Sequence, residues 1–365
     1  MSASSPTEPA RPPRGHLKIY LGYAAGVGKT YQMLDEAQAL QRAGRDVVIG
    51  YFEPHGRKDT IAMTEGLETA PRRIIEYRGG TFEEMNMPAI LARRPEICLV
   101  DELPHTNVPG AGRAKRWEDV IALLEAGIDV FSTMNVQHLE SLNDQVLQIT
   151  GIRVRETVPD WVLRQADEVV MVDLTPRALL NRLLRGVVYP ADKARRAMDY
   201  FFKESTLVAL RELALRETAH EVNVRVVDMT ARLPRAGLAP ASGERLLVFV
   251  TETEAAEALV RRARRVADYL GAECYGVYAR AGERVERAVA LARMLHIETR
   301  ELEGEDRAAA LVEFARTHRV THLFIARPRY EGMGWFTGHN MVHRIVRMAK
   351  EMEVIVVAER RPAKT

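Results

Sequence analysis

A lysine and a threonine in a glycine-rich stretch are the residues of this chain best suited to bind phosphate groups. Gly26, Gly28, Lys29 and Thr30 follow an apolar run at 17–22 and precede a helical pattern. Glycines let successive backbone N–H groups converge on an anion, and the following helix directs its positive dipole end at that anion. Lys29 supplies a cation, and the Thr30 hydroxyl can ligate Mg²⁺. The pattern predicts a P-loop, or Walker A motif, that binds ATP and Mg²⁺.

One glycine departs from the usual spacing of such a loop. A strict G-x-x-x-x-G-K-T pattern requires glycine at Tyr23, whereas the sequence has Gly22 just before it. We nevertheless assign Gly22 and Val27 to the nucleotide site, because the required order of strand, loop and helix is present. The alternative is a glycine turn that arose by chance.

Two acidic residues follow an apolar run at 95–100 that suits a buried strand. Asp101 and Glu102 follow residues 95–100, as expected of a parallel strand whose carboxyl end faces a ligand. Asp101 is then the Walker B residue that holds Mg²⁺, and Glu102 is the candidate catalytic residue that orients or deprotonates a nucleophile. Thr133 and Asn135 end the following strand, where either could sense the terminal phosphate. The alternative for Asn135 is a helix cap.

Strands and helices alternate along the chain, which predicts an α/β fold with parallel sheets and crossover helices. In the first half, helix-forming and Arg-rich sequence continues from 176 to about 223. The predicted strands are 17–22, 46–52, 96–101, 128–133 and 168–173, and the predicted helices are 30–41, 117–125 and 140–148.

A second α/β unit follows a stretch rich in proline, glycine and alanine at 230–243, which is the predicted linker. The strand and helix pattern of this unit predicts a doubly wound sheet. The arginines at 261–265 are predicted to form a solvated helix face. The predicted domains are therefore a disordered tail at 1–15, a P-loop domain at 16–229 and a second domain at 244–360. Its predicted strands are 245–251, 273–279, 297–302, 321–326 and 353–358, and its helices are 255–270, 285–295, 306–318 and 341–350.

Composition narrows the class of protein. Of the 365 residues, 28% are charged and 47% are hydrophobic, as in an ordinary soluble globular protein. A net charge of +2 gives no reason to expect nucleic-acid binding. The two cysteines, Cys98 and Cys274, lie in predicted strands and suggest a reducing compartment. No apolar run is long enough to span a bilayer and the N-terminus lacks a signal-peptide core, so we expect a cytoplasmic protein.

Long stretches of the first half resemble the N-terminal domain of the KdpD family of potassium-responsive sensor kinases. The resemblance covers about residues 16–225, and the second unit resembles the universal-stress-protein domain that follows it in the same family. The stretches that carry the resemblance are YFEPHGR at 51–57, VDELPHTNVPG at 100–110, KRWEDV at 115–120, TMNVQHLESLND at 133–144, ITGIRVRETVPD at 149–160 and ALRELALR at 209–216.

The resemblance implies an ATP-binding regulatory protein that modulates two-component control of potassium uptake. Its implied partners are a histidine kinase or response regulator of that system and subunits of the potassium pump. The sequence ends at Thr365 without a kinase core, so we expect a stand-alone sensory form, in which His138 is not a phospho-acceptor. Two alternatives stay open. One is a P-loop serine kinase or slow ATPase that acts on the pump or its regulators, and the other is a scaffold that the nucleotide only stabilises.

The ligand of the second domain is left open by the sequence. Cyclic-dinucleotide binding in the family resembles S-x-S, twenty residues, then F-T-A-x-Y. Here Thr251, Thr253 and Tyr278 keep that spacing, but Glu252 adds a negative charge beside a phosphate. In place of the glycines that bind ATP in such domains, the chain has ARPR at 326–329 and GH at 338–339. Cyclic di-AMP, ATP and a docking role without ligand are therefore three candidate functions.

Overall fold

A computed structural model describes residues 14–54, 56–186, 188, 202–231, 243–279, 282–304, 306–326 and 341–357, with the backbone alone from 220 to 231. The chain divides into two compact units. The first contains the residues up to Leu139 together with Ile149–Val158 and Val162–Thr218. The second contains Glu140–Gln148, Pro159–Trp161 and the residues from Ala219 onward. Most of the predicted tail and linker lies outside the described residues.

The first unit is built on a six-stranded parallel sheet with the strand order β3-β2-β6-β7-β1-β8. Two further strands, β4 and β5, form a separate antiparallel hairpin. The strands are β1 (Leu17–Gly22), β2 (Val47–Tyr51), β3 (Glu68–Thr69), β4 (Arg73–Tyr77), β5 (Gly80–Glu84), β6 (Ile97–Val100), β7 (Asp129–Asn135) and β8 (Glu168–Met171).

The central strands are apolar along their whole length because helices cover both faces of a parallel sheet. All residues of β2 and β6 are buried, as are all but one of β1. The order of the strands matters for the site. Since β7 lies between β1 and β6, the carboxyl ends of three neighbouring strands meet at one edge of the sheet.

The helices that precede residue 232 include two that frame this edge, α1 and α7. Thr175 caps α7 by accepting a hydrogen bond from the Ala178 N–H, and Pro176 occupies its first turn. The helices are α1 (Lys29–Arg42), α2 (Lys58–Ala62), α3 (Met87–Arg93), α4 (Arg116–Glu125), α5 (Asn143–Thr150), α6 (Asp160–Arg164), α7 (Pro176–Leu184) and α8 (Glu204–Ala231).

The five strands predicted for this unit are all present, whereas β3, the β4–β5 hairpin, α2 and α3 were not predicted. The helix predicted at 140–148 consists of a short 3₁₀ turn, Glu140–Leu142, followed by α5. The hairpin escapes a pattern search because β4 and β5 are mostly exposed or half-buried and carry no clean apolar alternation.

The second unit contains a five-stranded parallel sheet with the order β11-β10-β9-β12-β13. Separate apolar clusters on its two faces show that it is doubly wound. The first cluster includes α9 and α10, and the second includes α11 and α12. The elements are β9 (Arg245–Val250), α9 (Ala256–Leu270), β10 (Glu273–Tyr278), α10 (Glu283–Met294), β11 (Glu298–Glu301), α11 (Arg307–Thr317), β12 (His322–Ala326), α12 (Met341–Met348) and β13 (Glu353–Val357).

The prediction of a solvated arginine face at 261–265 holds for Arg262, which is exposed, and was wrong for Arg261 and Arg264. Arg261 is only 7% exposed, and its Nη2 lies 2.8 Å from Glu140 Oε1 within the second unit. Arg264 Nη2 lies 2.6 Å from Asp268 Oδ1, one turn away, and is also largely buried. Arginine can be buried when a carboxylate pairs with it, and sequence spacing alone did not reveal those partners.

None of the helices in the described part of the chain is long and apolar enough to cross a membrane.

Candidate nucleotide site

The glycine-rich loop joins β1 to α1 at the carboxyl edge of the first sheet. Gly26 and Gly28 have φ values of 90° and 112°, in the left-handed region that favours glycine. A Cβ at Gly22 would lie 2.7 Å from Val27 Cγ2 and 2.9 Å from Lys29 Cδ. The glycine that breaks the usual spacing therefore leaves room for the side chain of Lys29.

Lys29 lies at the start of α1 and contacts the strand beside its own. Its ammonium Nζ donates a 2.6 Å hydrogen bond to Asn135 Oδ1. Gly22 and Asn135 are partners in the register of β1 and β7, which explains this proximity. The Asn135 side chain makes no capping hydrogen bond to the 3₁₀ turn that follows, so the helix-cap alternative is not supported.

Thr30, Asp101 and Thr133 meet beside this contact. Thr30 Oγ1 donates to Asp101 Oδ1 at 3.1 Å, and Thr133 Oγ1 donates to the same oxygen at 2.5 Å. Asp101 is 1% exposed and directly follows β6. The two hydroxyls and the carboxylate are hard oxygen donors of the kind that Mg²⁺ prefers.

Burial shifts the pKa values of both charged residues toward their neutral forms. Burial raises the pKa of Asp101, and the neighbouring charge of Glu102 raises it further, against the hydrogen bonds of Thr133 and Thr30 and the charge of Lys29. Burial also lowers the pKa of Lys29, although Glu102 and Asp101 oppose that shift. The site therefore holds opposite charges that lack the stabilisation of water.

Glu102 has an unusual backbone conformation for a glutamate, with φ of 54°. Its N–H donates to Thr133 Oγ1 at 3.2 Å. Arg116 Nη1 donates to the carbonyl oxygens of Asp101 and Glu102 at 3.1 and 3.5 Å. These bonds hold the turn after β6 from two sides.

Arg116 is a supporting residue that the sequence reasoning missed. It is 1% exposed, and its Nη2 lies 3.4 Å from the buried Glu84 Oε2 at the end of β5. Its guanidinium lies 3.6 Å from the centre of the Tyr51 ring. An arginine at the start of an amphipathic helix is usually a surface residue. The one sequence signal for a role of Arg116 was its position in the stretch 115–120, which resembles the family.

A cavity of about 630 Å³ opens beside the loop, and every residue that lines it belongs to the first unit. Gly26, Gly28 and Thr30 form one side. Basic residues from two other elements form the rest, and sequence reasoning had not assigned them to the site. They are Arg57 and Lys58 at the start of α2, and Arg182 and Arg185 at the end of α7.

The candidate residues of the second unit lie at one edge of its own sheet. Thr251 follows β9, and Tyr278 ends β10 beside it. The Thr253 hydroxyl is buried and finds no hydrogen-bond partner within the described part of the chain. However, the carboxylate of Glu252 accepts hydrogen bonds from the backbone N–H groups of Arg284 and Val285, at 3.3 and 3.4 Å, in the first turn of α10. The protein's own carboxylate therefore takes the place where an anion would bind, and cyclic di-AMP stays a prediction.

The residues of the first unit match a known family. The family model KdpD, described as "Osmosensitive K+ channel His kinase sensor domain", matches residues 13–222, which is more than half of the chain. This chain belongs to the KdpD family.

Two relatives that match nearly the whole of this chain agree with that assignment. "Sensor protein KdpD" of Escherichia coli (strain K12) is 44% identical over 367 residues, which cover 98% of this chain and 41% of that protein. "Putative sensor protein KdpD" of Synechocystis sp. is 41% identical over 372 residues, which cover 98% of each chain. The chain thus spans less than half the length of the first relative and nearly all of the second.

Universal stress proteins are among the solved structures that resemble part of the chain. One, in complex with cAMP, is 18% identical and covers 32% of this chain and 98% of that protein, with a TM-score of 0.28. Another, from Archaeoglobus fulgidus, is 18% identical and covers 31% of this chain and 92% of that protein, with a TM-score of 0.25.

Proposed function

We propose that this chain is an ATP-binding regulatory sensor of the KdpD type, which acts in the cytoplasm on two-component control of potassium uptake. One observation carries the proposal. Lys29, Thr30 and Asp101 converge at the start of α1, next to a cavity bounded by glycines in the left-handed conformation. A histidine kinase, a response regulator and subunits of a potassium pump are the partners that we propose, because the matched relatives are named sensor proteins and the family model names a K⁺ channel His kinase sensor domain.

The residues of the site fit Mg-ATP. Phosphate oxygens beside Lys29 would stabilise its ammonium form, and a divalent cation beside Thr30 and Asp101 would stabilise the carboxylate. Each ligand would reverse the pKa shift that burial now imposes. Within the described residues no group of three His, Cys, Asp or Glu side chains could hold a metal ion, so the proposed Mg²⁺ needs phosphate oxygens as further ligands. Bound Mg-ATP supplies a transferable phosphoryl group.

Substitution of Lys29 tests the nucleotide site. We expect Lys29→Ala to lower the affinity for Mg-ATP at least about tenfold, or about 1.4 kcal/mol, because a charge-assisted contact to phosphate is lost. Isothermal titration calorimetry measures the effect. Lys203→Ala, at an exposed position just before α8, is the control and should bind as the wild type does. Equal affinities of all three proteins would refute the P-loop assignment.

A second candidate function is phosphoryl transfer to water or to a protein hydroxyl, as in a slow ATPase or a serine kinase. The specific observation is the placement of Glu102, which directly follows Asp101 and whose N–H donates to Thr133 Oγ1, the hydroxyl that also contacts Asp101. A carboxylate held near the proposed phosphates could orient or deprotonate a nucleophile. A scaffold stabilised by nucleotide would need no such residue.

A further inference from the structure

The basic residues of the cavity come from outside the glycine loop. Arg57 and Lys58 belong to the start of α2, and Arg182 and Arg185 belong to the end of α7. Asp59 is the one acidic residue that lines the same cavity in the described part of the chain. Four cations against one carboxylate give the cavity a positive potential, which suits an anion with several charges.

Helix α7 places one of these arginines directly at the loop. A Cβ at Gly28 would lie 3.7 Å from Arg182 Nη1, so this guanidinium borders the N-terminus of α1. A Cβ at Gly26 would lie 2.5 Å from Val188 Cγ2 and 3.1 Å from Leu179 Cδ1. The end of α7 and the residues after it therefore pack against the loop. Arg182 lies beside the position where a phosphate would accept hydrogen bonds from the backbone N–H groups of the loop.

Arg57, at the start of α2, lines the same cavity as Arg182. Its Nε is buried and has no hydrogen-bond partner among the residues that the structure describes. Gly28 and Thr30 line this cavity too, so the Arg57 side chain borders the position that we propose for the phosphates. A buried N–H of a charged group that lacks a partner is costly unless an anion accepts a hydrogen bond from it.

The kind of anion follows from the position of these groups. The loop amides would hold the inner phosphates and Lys29 would reach the β- and γ-phosphates, whereas Arg57 and Arg182 approach from α2 and α7. A guanidinium binds phosphate through two parallel N–H bonds, which suits the terminal phosphate of a chain. We infer, on the basis of the proposed function, that Arg57 and Arg182 bind the terminal phosphate of a nucleoside triphosphate, so that the site selects triphosphate over diphosphate.

Two nucleotides and matched variants test this inference. The intact chain is titrated by calorimetry with Mg²⁺ and either a non-hydrolysable ATP analogue or ADP. We expect Arg57→Gln and Arg182→Gln each to weaken binding of the triphosphate at least about tenfold and binding of ADP by less than about threefold. The control is Arg177→Gln, on the same helix, whose side chain is 84% exposed and pairs with Glu204. It should change neither affinity.

Different outcomes separate this inference from the proposed function. A wild-type chain that binds neither nucleotide would refute the nucleotide site itself. A wild-type chain that binds both, with variants that lose affinity for both equally or for neither, would refute only the role of the arginines. Arg57→Lys and Arg182→Lys keep the charge without the paired N–H groups, and we expect them to lose triphosphate affinity by an intermediate factor. They provide the same test if a glutamine variant fails to fold, which circular dichroism would reveal.

Discussion

At the scale of single residues, the site is a set of charges that burial disfavours. Lys29 and Asp101 are both nearly inaccessible to solvent, and the pKa of each shifts toward the neutral form. A protein selected for stability alone would place apolar residues there. On the function that we propose, ligands of opposite charge would stabilise both charged forms.

The role of Glu102 can be tested without disturbing the fold. We expect Glu102→Gln to keep Mg-ATP affinity within about threefold and to slow ATP hydrolysis or phosphoryl transfer at least about a hundredfold, because the shape is retained and the carboxylate is lost. Single-turnover assays with labelled ATP, with and without candidate partner proteins, measure the rate. Glu53→Gln, another acidic residue near the carboxyl edge of the sheet, serves as the control. Equal rates in the wild type and Glu102→Gln would favour a purely regulatory protein.

At the scale of elements, the turn after β6 depends on parts of the chain far from it in sequence. Arg116 from α4 binds the carbonyl oxygens of that turn, and Glu84 from β5 pairs with Arg116. Burial alone would raise the pKa of Glu84, yet the hydrogen bonds from His105 and Val108 and the charge of Arg116 hold it below its ordinary value. The hairpin and α4 together therefore hold Asp101 and Glu102 in place.

A double-mutant cycle tests this support. Arg116→Met leaves the buried carboxylate of Glu84 without its cation, a change that typically costs several kcal/mol. We expect amide exchange in β6 and α4 to become at least about a hundredfold faster, as measured by hydrogen exchange and mass spectrometry. Adding Glu84→Gln removes the buried charge that has lost its cation. We expect amide exchange in the double variant to be at least about tenfold slower than in Arg116→Met.

Lys115→Met is the matched control, because the Lys115 ammonium donates to the hydroxyl of the exposed Thr106 and Lys115 neighbours Arg116 in sequence. It should leave exchange in β6 nearly unchanged. Additive effects of Arg116→Met and Glu84→Gln would show that the two side chains are not coupled, and would contradict the support that we describe.

At the scale of the whole molecule, each unit has its own parallel sheet. The proposed nucleotide residues and the cavity all belong to the first unit. A ligand stabilises the part of the chain that binds it, by about 2.7 kcal/mol at a concentration one hundred times its Kd. Nucleotide should therefore affect the two units unequally.

Hydrogen exchange of the intact chain can locate that effect. With saturating Mg-ATP we expect the slowest amides of β1, β6 and β7 to exchange up to about a hundredfold more slowly, and those of β9 and β12 to be unaffected. Lys29→Ala should abolish the difference. Equal slowing in both sheets, or slowing in β9 and β12 alone, would place the nucleotide elsewhere.

The sequence by itself determined most of the elements and the core of the site. Most strands and helices of both units were predicted within a few residues, because apolar periodicity and the positions of glycine and proline are local signals, whereas β3, the β4–β5 hairpin, α2 and α3 were not. The glycine-rich loop and the acidic strand end can also be predicted from the sequence, since each depends on neighbouring residues in one short stretch. The sequence therefore identifies Gly22, Lys29, Thr30, Asp101 and Asn135 as candidate residues, and the structure brings Lys29 to Asn135 and Thr30 to Asp101.

Only the tertiary structure decided which distant residues complete the site. The position of β7 between β1 and β6 brings Asn135 to Lys29, and strand order is not encoded in any single stretch. The packing of α2 and α7 around the loop brings Arg57 and Arg182 to the cavity, and a buried pairing with Glu140 removes Arg261 from solvent. Charged side chains take their roles from partners that are remote along the chain, so their burial and their function follow from the fold and not from local pattern.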